Sequence, residues 1–351
     1  MEDVQRIAQT PIPRFYRNEP ICGGEMKAEP EHFRVTEEPL YEASGDGDHL
    51  FVHVTKRDLD HESMLRTLVK RLDVARSEIG YAGTKDRRAI TKQWLSVPRR
   101  AEDALRDFEH PQITMGESRP HPHKLRRGHL KANRFECFLK GAASLPSDSL
   151  LEKLQSEGVP NYYDAQRFGR GGSTAIAGLR YLRGEVEEVS SRSLLRMQLS
   201  AVQSLGFNHV LQHRISEGLL QTPMLGDLAQ VRRSGGLFWV DDLEDVSLRL
   251  QQGDVDLTGP MLGAKVKATR DAAGEFESLR LGDLGLRPEL FAGLKKLAPG
   301  SRRPLTVRAS ELETTEHNNG IWVSFSLPPG AYATLILREF TGTSVELNGP
   351  A

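Results

Sequence analysis

Strand patterns occupy both ends of this chain and helical patterns fill its middle, an arrangement that limits the folds the chain can adopt. Residues 48–58 and 320–327 alternate apolar and polar side chains, as expected of strands with one buried face. Residues 192–220 place apolar side chains at helical spacing. We therefore interpret the chain as a β-containing domain that carries an inserted, helix-rich segment and takes its final strand and helix from the C-terminus.

Shorter patterns extend this outline. A helix is predicted over residues 61–72, and a second over 147–158, with a serine or aspartate cap before it and a glycine after it. The apolar face of the first helix comprises Met64, Leu65, Leu68 and Leu72. Further strands are predicted over residues 91–97 and 131–141, and further helical structure over 269–281 and 286–298.

The size and charge of the chain indicate an ordinary folded protein with local basic segments. Its 351 residues favour two domains, and its formal net charge is -1. Residues 85–100 nevertheless carry six basic side chains and one acid, and residues 119–140 carry seven basic side chains and one acid. These segments are consistent either with a track for a polyanion or with solvated surface.

Cysteine content and hydropathy point to the cytoplasm. Cys22 and Cys137, the two cysteines, are far apart in the sequence, which favours a reducing compartment over a disulfide framework. Neither a signal-peptide pattern nor an apolar run of membrane-spanning length is present. We therefore expect a cytoplasmic protein that does not enter a membrane.

Motifs for metal and nucleotide binding are missing from the sequence. The His-x-His of residues 121–123 has no cysteine or carboxylate cluster beside it at ligand spacing. The segment GYAGTKD lacks the glycine spacing and the Ser/Thr of a phosphate-binding loop. The sequence therefore predicts no metal and no cofactor.

The stretch GYAGTKDRRAITKQW, residues 80–94, places one carboxylate, Asp86, among several cations. A carboxylate acts as a nucleophile only when ionised, and positive neighbours favour that state. The same pattern would suit an aspartate in a charged surface turn. Asp86 is therefore a candidate nucleophile with a structural alternative.

Two further segments combine basic, aromatic and glycine residues. NYYDAQRFGRGG, residues 161–172, offers aromatic rings for base stacking and arginines for phosphates. KLRRGHLKANRF, residues 124–135, places Asn133 and Phe135 on one side of a strand beside a basic run. An amide can bind a uracil edge and a ring can stack on the base. A glycine turn and a core phenylalanine would explain the same residues.

Taken together, these segments resemble the TruD family of pseudouridine synthases. GYAGTKDRRAITKQWLSV resembles the family signature around its catalytic aspartate, and HKLRRGHLKANRF and VPNYYDAQRFGRGGS resemble two further signatures. KAEPEHFRVTEEP and LPPGAYATLILRE also match. The five segments appear in family order from about residue 27 to residue 340.

The resemblance implies an α+β fold and a reaction. The fold would comprise a pseudouridine-synthase-type catalytic domain with a long, mainly antiparallel sheet, residues 1–157 and 306–351, and an inserted α/β TRUD domain, residues 158–305. The activity would be that of an isomerase that converts uridine 13 in the D arm of tRNA to pseudouridine without a cofactor.

The resemblance also assigns residues. Asp86 would be the nucleophile, and Lys27 its paired cation, with Arg87 or Lys85 as the next candidates. The uracil pocket would be lined by Phe33, Asn133, Phe135 and Tyr332. The residues expected to bind RNA are Lys85, Arg87, Arg88, Lys124, Arg126, Arg127, Arg167 and Arg170.

Other functions remain open at this level. A non-catalytic RNA-binding protein, such as a tRNA chaperone, would share the basic and aromatic segments but would not need Asp86. A nuclease would require a histidine pair or a carboxylate cluster beside the motifs. We expect no protein partner, and the sequence, which lacks a coiled-coil pattern, favours a monomer.

Overall fold

A computed structural model describes residues 2–187 and 189–342 of the chain. Contacts divide the chain into two compact units. The helical unit comprises the stretch that ends at Phe15 together with Ser156–Val307; the sheet unit comprises Tyr16–Gln155 and the stretch that begins at Arg308. By these contacts residues 2–15 group with the helical unit. The predicted domain division, which placed residues 1–157 in the catalytic domain, stays a prediction. None of the helices within the described ranges combines the length and the apolar character needed to cross a bilayer.

The strands, in chain order, are β1 (Phe33–Pro39), β2 (His49–Arg57), β3 (Gly80–Tyr81), β4 (Ile90–Pro98), β5 (Ile113–His121), β6 (Leu130–Lys140), β7 (Val159–Pro160), β8 (Leu228–Val231), β9 (Leu237–Trp239), β10 (Val255–Met261), β11 (Ser301–Pro304), β12 (Thr306–Val307), β13 (Ser310–His317) and β14 (Gly320–Leu327). The helices are α1 (Glu2–Gln9), α2 (His61–Leu72), α3 (Glu102–Arg106), α4 (Asp148–Ser156), α5 (Ser173–Leu182), α6 (Arg192–Ser216), α7 (Leu243–Gln251), α8 (Asp271–Asp283) and α9 (Ala333–Thr341). Short 3-10 helices cover Pro30–His32, Arg99–Ala101, Ala165–Phe168, Arg170–Gly172 and Pro288–Phe291.

A single long sheet organises the sheet unit. Its described strands run in the order β13-β14-β6-β1-β4-β2-β5, with β3 paired to β4. The β1–β4 pair is parallel, and the other pairs are antiparallel. This sheet, with its helices, confirms the predicted α+β fold and the mainly antiparallel sheet.

Helix α2 covers one face of this sheet, as its spacing predicts. Asp60 caps it by accepting a hydrogen bond from the Ser63 amide at 2.9 Å, and Asp73 ends it in the left-handed conformation. The predicted apolar face is buried against β2 and β4. Helix α4 likewise begins after Ser147, whose hydroxyl accepts from the Leu150 amide at 3.1 Å.

Helix α6 forms the centre of the helical unit, where it packs against α5 and α8. Gly178 of α5 must be glycine because a Cβ atom there would overlap the Gln198 carbonyl group. A wholly antiparallel sheet, β11-β10-β8-β9, completes the unit. Strands β7 and β12 pair with each other where the chain enters and leaves Ser156–Val307, so the two ends of this long segment lie side by side.

One predicted helical segment is mostly irregular. Residues 286–298 form a single 3-10 turn, Pro288–Phe291, followed by further turns. Phe291 is fully buried and anchors the segment. Gly293 interrupts it, and a glycine in a helix interior costs about 1 kcal/mol relative to alanine.

His61, the first residue of α2, makes the stability of the sheet unit depend on pH. It is buried against the Tyr81 ring, with 4.6 Å between ring centroids, and neither ring nitrogen has a hydrogen-bond partner among the described residues. Burial lowers its pKa to about 4. Between pH 6.5 and 4 the unfolded chain therefore binds a proton that the folded chain does not. We expect His61 to reduce the free energy of unfolding as the pH falls through this window, by up to about 3 kcal/mol.

Urea unfolding at several pH values checks this expectation. The difference in unfolding free energy between the wild type and His61→Phe should change between about pH 7 and about pH 4. The same replacement at exposed His123 is the control and should give a nearly constant difference. Parallel pH curves for the wild type and His61→Phe would contradict the expectation.

Candidate active site

The loop that carries Asp86 connects β3 to β4, and contacts with neighbouring residues of the sheet unit fix its backbone. Gly80 must be glycine, because a Cβ atom would overlap the Ser96 hydroxyl and the Leu125 carbonyl oxygen. The Lys56 ammonium donates to the Asp86 carbonyl oxygen at 2.5 Å and to the Leu59 carbonyl oxygen at 2.7 Å. The backbone of Asp86 is therefore fixed, while 57% of its side chain remains exposed.

Lys56 lies on the buried face of β2, in line with Leu50, Val52 and Val54. Burial lowers its pKa to about 8, although the nearby Asp86 carboxylate opposes the shift. A lysine at an inward-facing strand position is costly unless its ammonium group is hydrogen-bonded, and the two carbonyl oxygens supply these bonds. Sequence analysis missed Lys56, but its place in the alternation of β2 was a usable signal.

Lys27 pairs with the Asp86 carboxylate. Its Nζ lies 2.9 Å from Asp86 Oδ2 and 3.8 Å from the centroid of the Phe33 ring. The lysine side chain is 11% exposed, so the ring and the carboxylate replace much of its hydration. The structure thus brings together the predicted nucleophile, the predicted cation and Phe33.

A buried ion pair lies behind this group. Lys85 Nζ is 2.7 Å from Glu37 Oε2, and the two side chains are 5% and 1% exposed. The same ammonium donates to Asn133 Oδ1 at 2.8 Å. Because Lys85 directly precedes Asp86, this pair ties the loop to β1 and β6. Lys85 is thus engaged inside the protein, and its expected contact with RNA stays a prediction.

Sequence analysis also missed Glu37. Phe33, Val35 and Glu37 occupy the buried positions of β1, and the residues between them are more exposed. An acid at an inward-facing position of a strand was therefore a sign of a buried partner.

Three aromatic rings pack together beside Lys27. The Phe33 and Phe135 centroids are 5.9 Å apart, and Phe135 stacks on Phe325 at 5.5 Å. All three residues are buried. The proposed uracil contacts of Phe33 and Phe135 therefore involve rings that also belong to the core.

The other two pocket candidates are Asn133 and Tyr332, which are connected through the end of β14. Asn133 is half-buried and pairs in register with Leu327, the last residue of β14. The chain then turns through residues 328–331 to Tyr332, a half-buried residue at the start of α9. Asn133 thus lies beside the start of the turn that leads to Tyr332.

Several predicted RNA-binding residues surround a cavity of about 490 Å³. The lining of this cavity includes Arg76, Lys124, Arg126 and Arg127. Arg127 donates to the Tyr81 hydroxyl at 2.8 Å. Burial would raise the pKa of Tyr81, but the hydrogen bonds from Arg127 and Arg76 lower it below its ordinary value. The cavity therefore concentrates positive charge beside the strand that precedes the Asp86 loop.

The remaining basic candidates divide between the two units. Arg87 and Arg88 are exposed next to Asp86, and Arg88 donates to the Ala28 carbonyl oxygen at 2.8 Å. Arg167 and Arg170 belong to the helical unit. Arg167 donates hydrogen bonds to the hydroxyl groups of Ser200 and Ser204, whereas Arg170 is exposed.

Comparisons with known proteins show which family the chain belongs to. The family described as tRNA pseudouridine synthase D (TruD) matches residues 12–191 and 188–340. A Thermus thermophilus protein named tRNA pseudouridine synthase D is 38% identical over 91% of this chain and 89% of its own length. One from Anaeromyxobacter sp. strain Fw109-5 with the same name is 35% identical over 93% and 95%.

A solved structure shares the fold. The crystal structure of a Methanosarcina mazei protein described as a putative tRNA pseudouridine synthase D superposes with a TM-score of 0.73, covering 97% of this chain and 98% of the other at 23% identity. With the family match extending from residue 12 to residue 340, the chain belongs to the TruD family of tRNA pseudouridine synthases.

Proposed function

We propose that this protein converts uridine 13 in the D arm of tRNA to pseudouridine, with Asp86 as the nucleophile and without a cofactor. The observation that carries the proposal is the exposed Asp86 carboxylate, fixed through its backbone by Lys56 and paired with Lys27 at 2.9 Å. The names of the relatives support tRNA and pseudouridine formation. The position in tRNA and the residue roles extend beyond those names and rest on the motifs.

The proposed reaction is balanced without any other reactant. The bond from the ribose C1′ to the uracil N1 breaks, the base rotates, and a bond from C1′ to C5 forms, while the proton from C5 is lost and N1 gains one. Asp86 can take part by attacking C6 of the base, by attacking C1′, or by acting as a base at C2′. Each route needs an ionised carboxylate that reaches the flipped nucleotide, and the exposure of Asp86 provides that access.

The neighbours of Asp86 would hold the uracil. Because Lys85 bonds the side-chain oxygen of Asn133, the Asn133 amide nitrogen is the group that can donate to a uracil carbonyl oxygen. Phe33, Phe135 and Tyr332 would supply apolar contact and stacking. Lys27 would keep the carboxylate oriented, and Glu37 and Lys85 would position Asn133.

The wild-type protein provides the first test. Purified protein should form pseudouridine at position 13 of an unmodified tRNA in the presence of EDTA and without added cofactor. Carbodiimide labelling and primer extension would map the product. Pseudouridine at another position would contradict the assigned site, and tRNA binding without product would favour the non-catalytic alternative.

The basic residues Lys124, Arg126 and Arg127 would bind tRNA phosphates. We expect their joint replacement by glutamine to weaken tRNA binding. The slope of log affinity against log salt concentration should become less steep by about 2 to 3, because each neutralised phosphate contributes about 0.7 to 0.9 to it. Filter binding from about 50 to 300 mM salt would measure the slope.

A matched variant removes the same charge from the same unit. Arg66, Lys70 and Arg71 are residues of α2, and their joint replacement by glutamine should leave the slope nearly unchanged. Equal slopes for the wild type and the first triple variant would place the RNA contacts elsewhere.

We further propose that the protein acts as a monomer in the cytoplasm.

A further inference from the structure

Two histidines and an aspartate meet on the surface of the helical unit. His209 and His213 lie one turn apart on α6, and Asp283 is the last residue of α8. Their potential ligand atoms all lie within 4.8 Å of one another. His209 Nε2 is 3.4 Å from Asp283 Oδ2, and the two imidazole centroids are 4.7 Å apart.

This spacing suits a shared metal ion. Metal bonds of about 2.0 to 2.2 Å in a tetrahedral site place neighbouring ligand atoms about 3.3 to 3.6 Å apart. The His209–Asp283 distance already has this value. Histidines four residues apart share one helix face, so a small rotation of the His213 ring would complete the set.

We propose that His209, His213 and Asp283 bind a divalent transition-metal ion, with Zn²⁺ as the best match. Two imidazoles and one carboxylate suit zinc better than magnesium or calcium, which prefer oxygen ligands. A water molecule would take the fourth position, near Glu217, whose Oε1 lies 3.8 Å from His213 Nδ1.

The local electrostatics are compatible with a cation. The His209 side chain is 13% exposed, and burial lowers its pKa although Asp283 opposes the shift. A lowered pKa favours the neutral imidazole, which is the form that binds metals. Asp283 and Glu217 supply negative charge.

Arg280 competes with the ion. Its guanidinium lies 2.9 Å from Glu217 Oε1 and 3.8 Å from Asp283 Oδ2. A bound ion would displace Arg280 from Asp283, and Arg280 would remain paired with Glu217. We therefore expect weaker binding than at a structural zinc site formed by cysteines.

The bound ion would clamp the end of α8 to α6. It would stabilise the helical unit and take no part in the chemistry at Asp86. The sequence analysis predicted no metal site and did not single out His209 or His213. Asp283 lies seventy residues beyond His213 in the chain, so short spacing does not connect the three residues.

The test uses the full chain without a histidine tag, stripped of metal with EDTA and then dialysed. Isothermal titration calorimetry with ZnCl₂ should show one ion bound per chain, and Co²⁺ should give the visible absorption of a tetrahedral site. The thermal unfolding midpoint should rise by several degrees with Zn²⁺. The double variant His209→Gln/His213→Gln should lose all three responses.

Two variants keep the result interpretable. Replacing His121 and His123, a second close histidine pair, by glutamine should leave Zn²⁺ binding intact. If the α6 double variant fails to fold, Asp283→Asn at the exposed end of α8 should still weaken binding at least about tenfold. No binding to the wild type at about 100 µM Zn²⁺, or equal binding to the wild type and Asp283→Asn, would overturn the proposal.

Discussion

Asp86→Asn is expected to reduce pseudouridine formation by at least about 1000-fold while the affinity for tRNA stays within a few fold of the wild type. The amide keeps the shape of the side chain but removes the negative charge that the proposed nucleophile or base requires. The side chain of Asp86 is more than half exposed. Loss of its ion pair with Lys27 should therefore change the folded structure little. Single-turnover assays at saturating tRNA, together with filter binding, measure the two quantities separately.

Asp103→Asn is the matched control. Asp103 is an exposed residue of α3 in the same unit, with a 92% exposed side chain. This variant should keep wild-type turnover. Substantial turnover by Asp86→Asn would show that Asp86 is not the nucleophile, and a parallel loss in both variants would indicate a general effect on the protein.

Glu37→Ala is expected to lower the free energy of unfolding of the sheet unit by about 3 to 5 kcal/mol. The substitution leaves the Lys85 ammonium buried without its carboxylate, and an uncompensated buried charge is costly. Urea unfolding would be followed by tryptophan fluorescence in a Trp239→Phe background. This change removes the tryptophan of the helical unit and leaves Trp94 and Trp322 in the sheet unit.

Two further variants isolate the cause. Glu38→Ala changes the next residue of β1, whose contact with Lys131 at 3.7 Å is partly exposed, and should cost less than about 1 kcal/mol. The double variant Glu37→Leu/Lys85→Met removes both charges and should recover much of the lost stability. A loss below about 1 kcal/mol for Glu37→Ala, or no recovery in the double variant, would contradict the account of this pair.

Local periodicity predicted many elements correctly. The apolar face of α2, the cap of α4, and the alternation of β2, β6 and β14 are all encoded within a dozen residues. Prediction was weaker where local signals conflicted with packing. Residues 286–298 have helical spacing, yet Gly293 and the burial of Phe291 favour turns. Helix α1 was not predicted, because its stabilising contacts come from distant residues.

In the candidate site, too, local patterns predicted some features and packing determined others. The motifs around Asp86, Asn133 and Phe33 identified the family, and with it the predicted nucleophile. The sequence could not show that Lys85 pairs with Glu37 inside the protein, because a lysine in a basic loop suits both a buried partner and RNA. Its direction depends on where β1 and β6 place Glu37 and Asn133.

Residue type and short spacing were enough to predict many local elements, the family and the residues proposed to carry the chemistry. Which charges are buried and paired depends on the tertiary structure. It brings Lys27 to Asp86 across fifty-nine residues and Asp283 to His209 across seventy-four. Contacts of this range depend on strand register and helix packing, and the free energy of burying a charge depends on the complete set of neighbours that packing supplies.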